Sequence, residues 1–162
     1  MALSAYLKLQ GQKQGDIHGP VTEAGRENSI LIHSFSHAVV SPRDPASGLA
    51  IGRRQHQPIV LFKDTDKTSP LLWNMLINNE ALIAWELQFW TSGAEQGAAE
   101  TSMYTIRLTN ASIASIQESM NDNELGGNAV PPLREQITFT YQKIEWIWID
   151  GIVEAQDSWE AQ

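Results

Sequence analysis

The chain has 162 residues, a formal charge of −8 and no cysteine. That length favours one domain, spanning 1–162, with room for a core that needs no staples. The missing cysteines exclude disulfides and thiolate metal sites, and the acidic balance argues against nucleic acid or an anionic membrane surface as partner. No apolar run approaches the roughly 18 residues of a membrane-spanning helix.

The first stretch, MALSAYLKLQGQKQG, has no charged start, apolar centre or cleavage site. Export, where it occurs, is therefore expected to bypass a signal peptide. Ala5, Leu7 and Leu9 alternate with Ser4, Tyr6, Lys8 and Gln10, which predicts a half-buried strand. Gly11 to Gly25 reads as a polar loop punctuated by Gly15, Gly19 and Pro20. Ser29 to Val40 reads as one long strand. Leu31, His33, Phe35 and His37 fall on one face, and Ile30, Ile32, Ser34 and Ser36 on the other.

The stretch 41–54, SPRDPASGLAIGRR, has two prolines, two glycines and no period. It holds Arg43, Arg53 and Arg54, a large share of the few cations, together with Asp44. Long loops of this kind are functional or disordered, and its charges favour an extended contact arm. Ile59 to Phe62 suits a half-buried strand. Ser69 then reads as an N-cap and Pro70 as the first helical residue. Leu71, Leu72, Trp73, Met75, Leu76 and Ile77 follow and spread apolar surface round most of a short helix. Such a helix is buried on more than one side. Either a second subunit or a long loop of the same chain covers the extra side.

Leu82 to Trp90 alternates, with Ile83, Trp85, Leu87 and Phe89 facing one way and Glu86 and Gln88 the other. A Gly/Ala/Glu loop follows to Ser102. Met103 to Ile116 is strand-like, with a bend or bulge expected near Asn110-Ala111. Gln117 to Pro132 is a polar loop with Gly126-Gly127 and Pro131-Pro132. In Arg134 to Ile149 the apolar positions change from odd (Ile137, Phe139, Tyr141) to even (Ile144, Trp146, Trp148). A period of two cannot change phase without an extra residue, so a bulge or a change of sheet is predicted at Gln142-Lys143. Asp150 to Gln162 reads as an acidic C-terminal tail with Trp159 as an anchor. The fold class is mainly β, a barrel or sandwich of antiparallel strands with one helix.

No motif points to catalysis or to a cofactor. His33 and His37 lie about 13 Å apart on an extended strand, too far for one metal ion. Asp64/Asp66 and Asp122/Glu124 sit beside turn residues, where carboxylates cap the backbone. There is no nucleophile elbow, Walker loop or dinucleotide glycine motif. Asn110-Ala111-Ser112 matches a glycosylation sequon by coincidence of pattern. Six Trp raise a carbohydrate-binding β-sandwich as an alternative, although four of them fall in predicted strands, where packing is the commoner role. A β-barrel hydrolase would need converging His and carboxylates, which no spacing suggests.

Several segments in order resemble the haemolysin-coregulated protein (Hcp) family, inner-tube subunits of the bacterial type VI secretion system. They include Tyr6-Leu7-Lys8-Leu9-Gln10-Gly11, the run from Ser41 to Gly48, Gly52-Arg53-Arg54 with His56 and Pro58, and Asp66-Lys67 with Ser69-Pro70-Leu71-Leu72. Asn78-Asn79-Glu80, Phe89-Trp90, Leu108 to Ile116 and Phe139 to Trp146 continue the likeness. The loops Thr91 to Ser102 and Glu118 to Pro132 depart from it. The resemblance implies an antiparallel β-barrel of two sheets with one flanking α-helix and a long extended loop, closed into a homo-hexameric ring. It implies stacking of rings into a tube inside a sheath, with spike and effector proteins as partners, and passage from the bacterial cytoplasm to the outside through the type VI apparatus. By that analogy Arg43, Asp44 and Arg53 are expected at ring or subunit contacts. Leu72, Trp73, Met75 and Leu76 are expected to make subunit or ring contacts through the helix packing, and Ser34 and Ser36 are expected at the lumen.

Overall fold

A computed structural model describes residues 3–92, 97–122, 124 and 132–160. Gly126, Gly127 and Pro131 lie outside the described residues. Two antiparallel sheets enclose one apolar core. The larger runs β13-β12-β9-β8-β1-β2, with β3 also on β1; the smaller runs β10-β11-β7-β4. In chain order these are β1 (Leu3–Gly11), β2 (Gly15–Ile17), β3 (Ile30–Ile32), β4 (Ser34–Ser36), β5 (Val39–Val40), β6 (Gln55–His56), β7 (Ile59–Asp64), the helix α1 (Ser69–Ile77), β8 (Leu82–Thr91), β9 (Thr101–Thr109), β10 (Ser112–Ser119), β11 (Arg134–Thr140), β12 (Lys143–Trp148) and β13 (Val153–Ser158). Among the described residues the sheets face each other without closing into one hydrogen-bonded ring, and a bridge between Leu82 and Ala111 links strand ends. Leu7, Trp85, Leu87, Ile106 and Ile144 meet Ile59, Leu61, Ile137 and Phe139 in the core.

Each interruption of the strand pattern is a crossing between sheets. The phase change at Gln142-Lys143 is where the chain leaves β11 in the small sheet for β12 in the large one. At Asn110 a left-handed residue (φ 51) ends β9 in the large sheet and starts β10 in the small one. The predicted strand Ser29 to Val40 is three strands. β3 pairs with β1, β4 pairs with β7, and β5 leaves with the arm. The break at His33 turns Ile30 and Ile32 inward before it, and Phe35 inward after it. Ile83, expected inward, is 60% exposed. The register of β1 against β8 slips between Gln10 and Gly11, and Leu82 takes the buried place. The acidic tail contains β13, an edge strand on β12. Its alternation was hidden because an edge strand with one face in water needs few apolar residues.

The helix begins one residue early. Thr68 is the cap, Ser69 the first helical residue and Pro70 the second. Pro is tolerated there because the first four N–H groups have no intrahelical partner. Ser69 is occupied differently: its Oγ accepts from Asp66 N–H at 3.0 Å and from Lys63 Nζ at 3.1 Å. Asn79, at φ 48, ends the helix in the left-handed region. The Glu80 carboxylate then accepts from Lys13 N–H and Gln14 N–H at 2.6 and 2.8 Å, fastening the β1–β2 turn to the helix end.

Candidate assembly surfaces and the root of the arm

The stretch 41–54 is an ordered ribbon. Val39 pairs with His56 and Val40 with Gln55 at its base. Further out, Ile51 N–H donates to Pro42 C=O at 2.9 Å and Asp44 N–H to Leu49 C=O at 2.8 Å. At the tip the Asp44 carboxylate accepts from the Ser47 hydroxyl and from the Ala46 and Ser47 N–H groups. Those bonds, that from the Ser47 hydroxyl first, hold its pKa below the usual carboxylate value. Asp44 therefore shapes the tip, while Arg43 and Arg53 are exposed and make no ion pair among the described residues.

The root of the ribbon holds a closed polar cluster. His56 is completely buried; its Nε2 lies 2.8 Å from Asp157 Oδ2 and its Nδ1 2.8 Å from the Tyr141 hydroxyl. His37 Nε2 reaches the same hydroxyl at 2.7 Å. Arg54 binds Asp157 through both Nε and a terminal nitrogen, a bidentate geometry that favours the carboxylate form. Asp157 is accordingly held far below its ordinary range, by Arg54 first and by His56 after burial is offset. Burial, reinforced by the Asp157 charge, raises the Tyr141 phenol. Burial, and then the neighbouring His56, lowers His37. Trp159 stacks on His56 at 5.9 Å between ring centres and meets Tyr141 edge-on at 5.3 Å, so the predicted anchor is in place. Tyr141, Trp159 and Asn110 also line an open cavity of about 430 Å³.

The helix divides its apolar residues between two directions. Leu72 and Met75, 0% and 1% exposed, enter the chain's own core. They are thus unavailable to a neighbour, which corrects the expectation placed on them. Trp73 and Leu76 are half-buried, and Leu71 and Ile77 are 39% and 73% exposed. The helix lies against β10, and Trp73 Nε1 donates to Glu118 there at 3.4 Å.

The small sheet turns outward a face of Ser, Thr and Gln with Phe62 and Val60 set among them. Its register sets Ser34 beside Phe62 and Gln136, and Ser36 beside Val60 and Thr138; Ser115 and Gln117 on β10 continue the two rows. Ser34 and Ser36 are exposed.

His37, His56 and Asp157 do converge, over a sequence distance no motif spans. The two histidines meet on the Tyr141 hydroxyl, and Asp157 is bound by His56 and Arg54. Among the described residues no three His, Asp or Glu side chains are placed to hold a metal ion, and no helix is long and apolar enough to cross a membrane. His33 instead pairs with Asp64 at 3.0 Å. Of the tryptophans, Trp85 is in the core, Trp90 is covered by Arg26 at 4.6 Å and Trp159 stacks on His56, while Trp148 is exposed. The carbohydrate-binding alternative is not supported.

Fold and surfaces together define a structural β-protein: two facing sheets, a flanking helix with an apolar outer side, and a projecting arm. The profile of the family described as "Type VI secretion system effector, Hcp" matches residues 6–148, and the chain belongs to that family. It is 34% identical to the "Major exported protein" of Pseudomonas aeruginosa, over 99% of this chain and 98% of that one. Among solved structures it is similar to an Hcp protein (25% identity, TM-score 0.88, 99% of this chain and 100% of that one). An Hcp1 protein of Escherichia coli EAEC 042 (26% identity, TM-score 0.84, 98% and 99%) and the secreted protein Hcp3 of P. aeruginosa (28% identity, TM-score 0.77, 99% and 100%) are similar throughout. The chain is thus a tube and effector protein of the type VI secretion system, from a family of secreted proteins that form ring assemblies.

Proposed function

We propose that residues 1–162 form one Hcp-like domain that assembles into homo-hexameric rings, which stack into the inner tube and carry effector proteins in the lumen. The reading rests on the small sheet, whose edge strands β10 and β4 are unpaired among the described residues. Unpaired edges are templates for another chain. The two edges differ, because α1 flanks β10 and nothing comparable flanks β4. A contact between unlike edges is head-to-tail, and such contacts close into rings. Leu71, Trp73, Leu76 and Ile77 enter that contact with the β10 edge. The polar rows that include Ser34 and Ser36 then line a wet channel, and the arm, with Arg43 and Arg53 exposed, meets the next ring. The large sheet faces the sheath. The protein is made in the cytoplasm and leaves through the apparatus itself, catalysing nothing.

Native mass spectrometry tests the ring. Six copies of 18.0 kDa give about 108 kDa. Trp73→Asp or Ile77→Asp shifts the mass to one copy. A wild-type chain that stays single at high concentration overturns the proposal.

A further inference from the structure

The arm's root is built from groups far apart in the sequence. The ribbon supplies His37, Arg54 and His56, the turn after β11 supplies Tyr141, and β13 supplies Asp157. Trp146 and Trp159 add only aromatic faces. Lys143 and Glu145 on β12 bond each other at 3.2 Å; their register opposite Ser158 and Gln156 puts them on the sheet face away from Asp157. Glu160, past Trp159, lines the cavity.

Counting donors and acceptors limits how many protons the cluster holds. With both imidazoles neutral, His56 Nε2–H donates to Asp157 and the Tyr141 hydroxyl donates to His56 Nδ1. His37 Nε2–H then donates to the Tyr141 oxygen, so every proton has an acceptor. One added proton on His56 is also accommodated. Both its N–H groups donate, to Asp157 and to Tyr141, and the hydroxyl turns to donate to a neutral His37 Nε2. A further proton on His37 has no such arrangement. Two N–H donors then face one hydroxyl whose own hydrogen lacks an acceptor, and two cations share a half-buried site beside Arg54.

We propose that the Tyr141 hydroxyl, shared by His37 and His56, latches the arm to the body of the protein, and that protonation of His37 as well as His56 releases it. Burial and His56 already depress the His37 pKa. The released form therefore takes up that proton more readily than the latched form below about pH 6.5, and acid favours release. Above that pH His37 is neutral in both forms and contributes no change. The latch stands on the cluster alone. Its consequence, ring stacking that weakens in acid, rests on the contact-arm reading above.

The cysteine-free chain allows paired spin labels at Leu49→Cys, near the arm's tip, and Glu154→Cys, on the body. In the full-length protein the label distance is expected to be narrowly distributed at about pH 7.5 and broad at about pH 5, where histidines charge. His37→Phe keeps an aromatic ring against Tyr141 and leaves the hydroxyl its acceptor on His56. It is expected to stay narrow at both. A wild-type distribution that stays narrow in acid overturns the latch, as does an equal broadening in H37F. Should H37F fail to fold, the wild-type protein suffices: broadening must follow the His37 imidazole titration seen by NMR, and broadening while that ring is still neutral overturns the proposal. Electron micrographs of the same samples separate the two readings. Broadened distances with unchanged stacks support the latch and remove the arm from the ring contact.

Discussion

Lys63 shows how one residue carries more than its local strand. It is fully buried, with Nζ 2.9 Å from Glu135 Oε2, 2.9 Å from the Asp64 C=O and 3.1 Å from Ser69 Oγ. Glu135 is equally buried, and its Oε1 has no partner. Removing one member of a buried pair leaves an uncompensated charge and costs about 3–5 kcal/mol. Lys63→Met is expected to lower stability by that order in urea denaturation, and adding Glu135→Leu to recover most of it. Arg54 makes a second prediction, about pH. The Asp157 pKa is depressed in the folded chain. Its stabilisation is thus present above the ordinary carboxylate value near 3.8 and is lost as pH falls below it. Arg54→Met removes the largest cause of that depression, so acid unfolding is expected to become less steep below about pH 4. Lys63 had no legible role in the sequence, since a lysine between Phe62 and Asp64 looks like turn punctuation. Only the fold brings Glu135 opposite it in register.

At the scale of elements, α1 has two apolar sides with different consequences. Leu72 fills the chain's own core, so Leu72→Ala is expected to cost about 2–5 kcal/mol and to lower the melting temperature of every assembly state. Ile77→Asp touches no core and is expected to leave the monomer's melt unchanged while dissociating rings. Equal loss of stability from both substitutions would show that the outer side is also internal. The helix's existence and its all-round apolar surface were legible, because its Pro-initiated run has no polar residue but Asn74. Which side faced inward was not, since no stripe in the sequence singles out Leu72 and Met75. The arm is similar. Its charge and irregular period marked it as a projection, but its order comes from ladder bonds between residues up to seventeen apart. Arg43→Glu is expected to reduce stacking of rings in electron micrographs while single rings persist. Unchanged stacks would place Arg43 outside the contact.

For the whole molecule, the relevant object is the small sheet seen from outside. Its rows of Ser, Thr and Gln on β4, β10 and β11 cross β7 at Phe62 and Val60, so four segments spread between Ser34 and Thr140 build it. Thr138→Trp adds bulk on that face from the inner strand β11, away from both edges. Rings are expected to form as before, and retention of a co-expressed effector to fall. An effector held equally well by T138W rings would place this face elsewhere than the lumen. The outward position of Ser34 and Ser36 was anticipated from a strand that does not exist as one piece. It is right for β4 because the break at His33 reverses the pattern before it reaches them.

The sequence by itself determined most of the long strands, the helix, the interruptions at Asn110 and Gln142, the irregular arm and the family. These are written in local chemistry: alternation of two, proline and glycine punctuation, and phase changes that a pleated strand cannot absorb. Tertiary structure alone decided which strands share a sheet, which side of α1 is left over, and that His37, His56, Tyr141 and Asp157 meet at the arm's root. Those outcomes depend on pairings between residues as much as 104 positions apart, and a local period holds no information about a partner that distant.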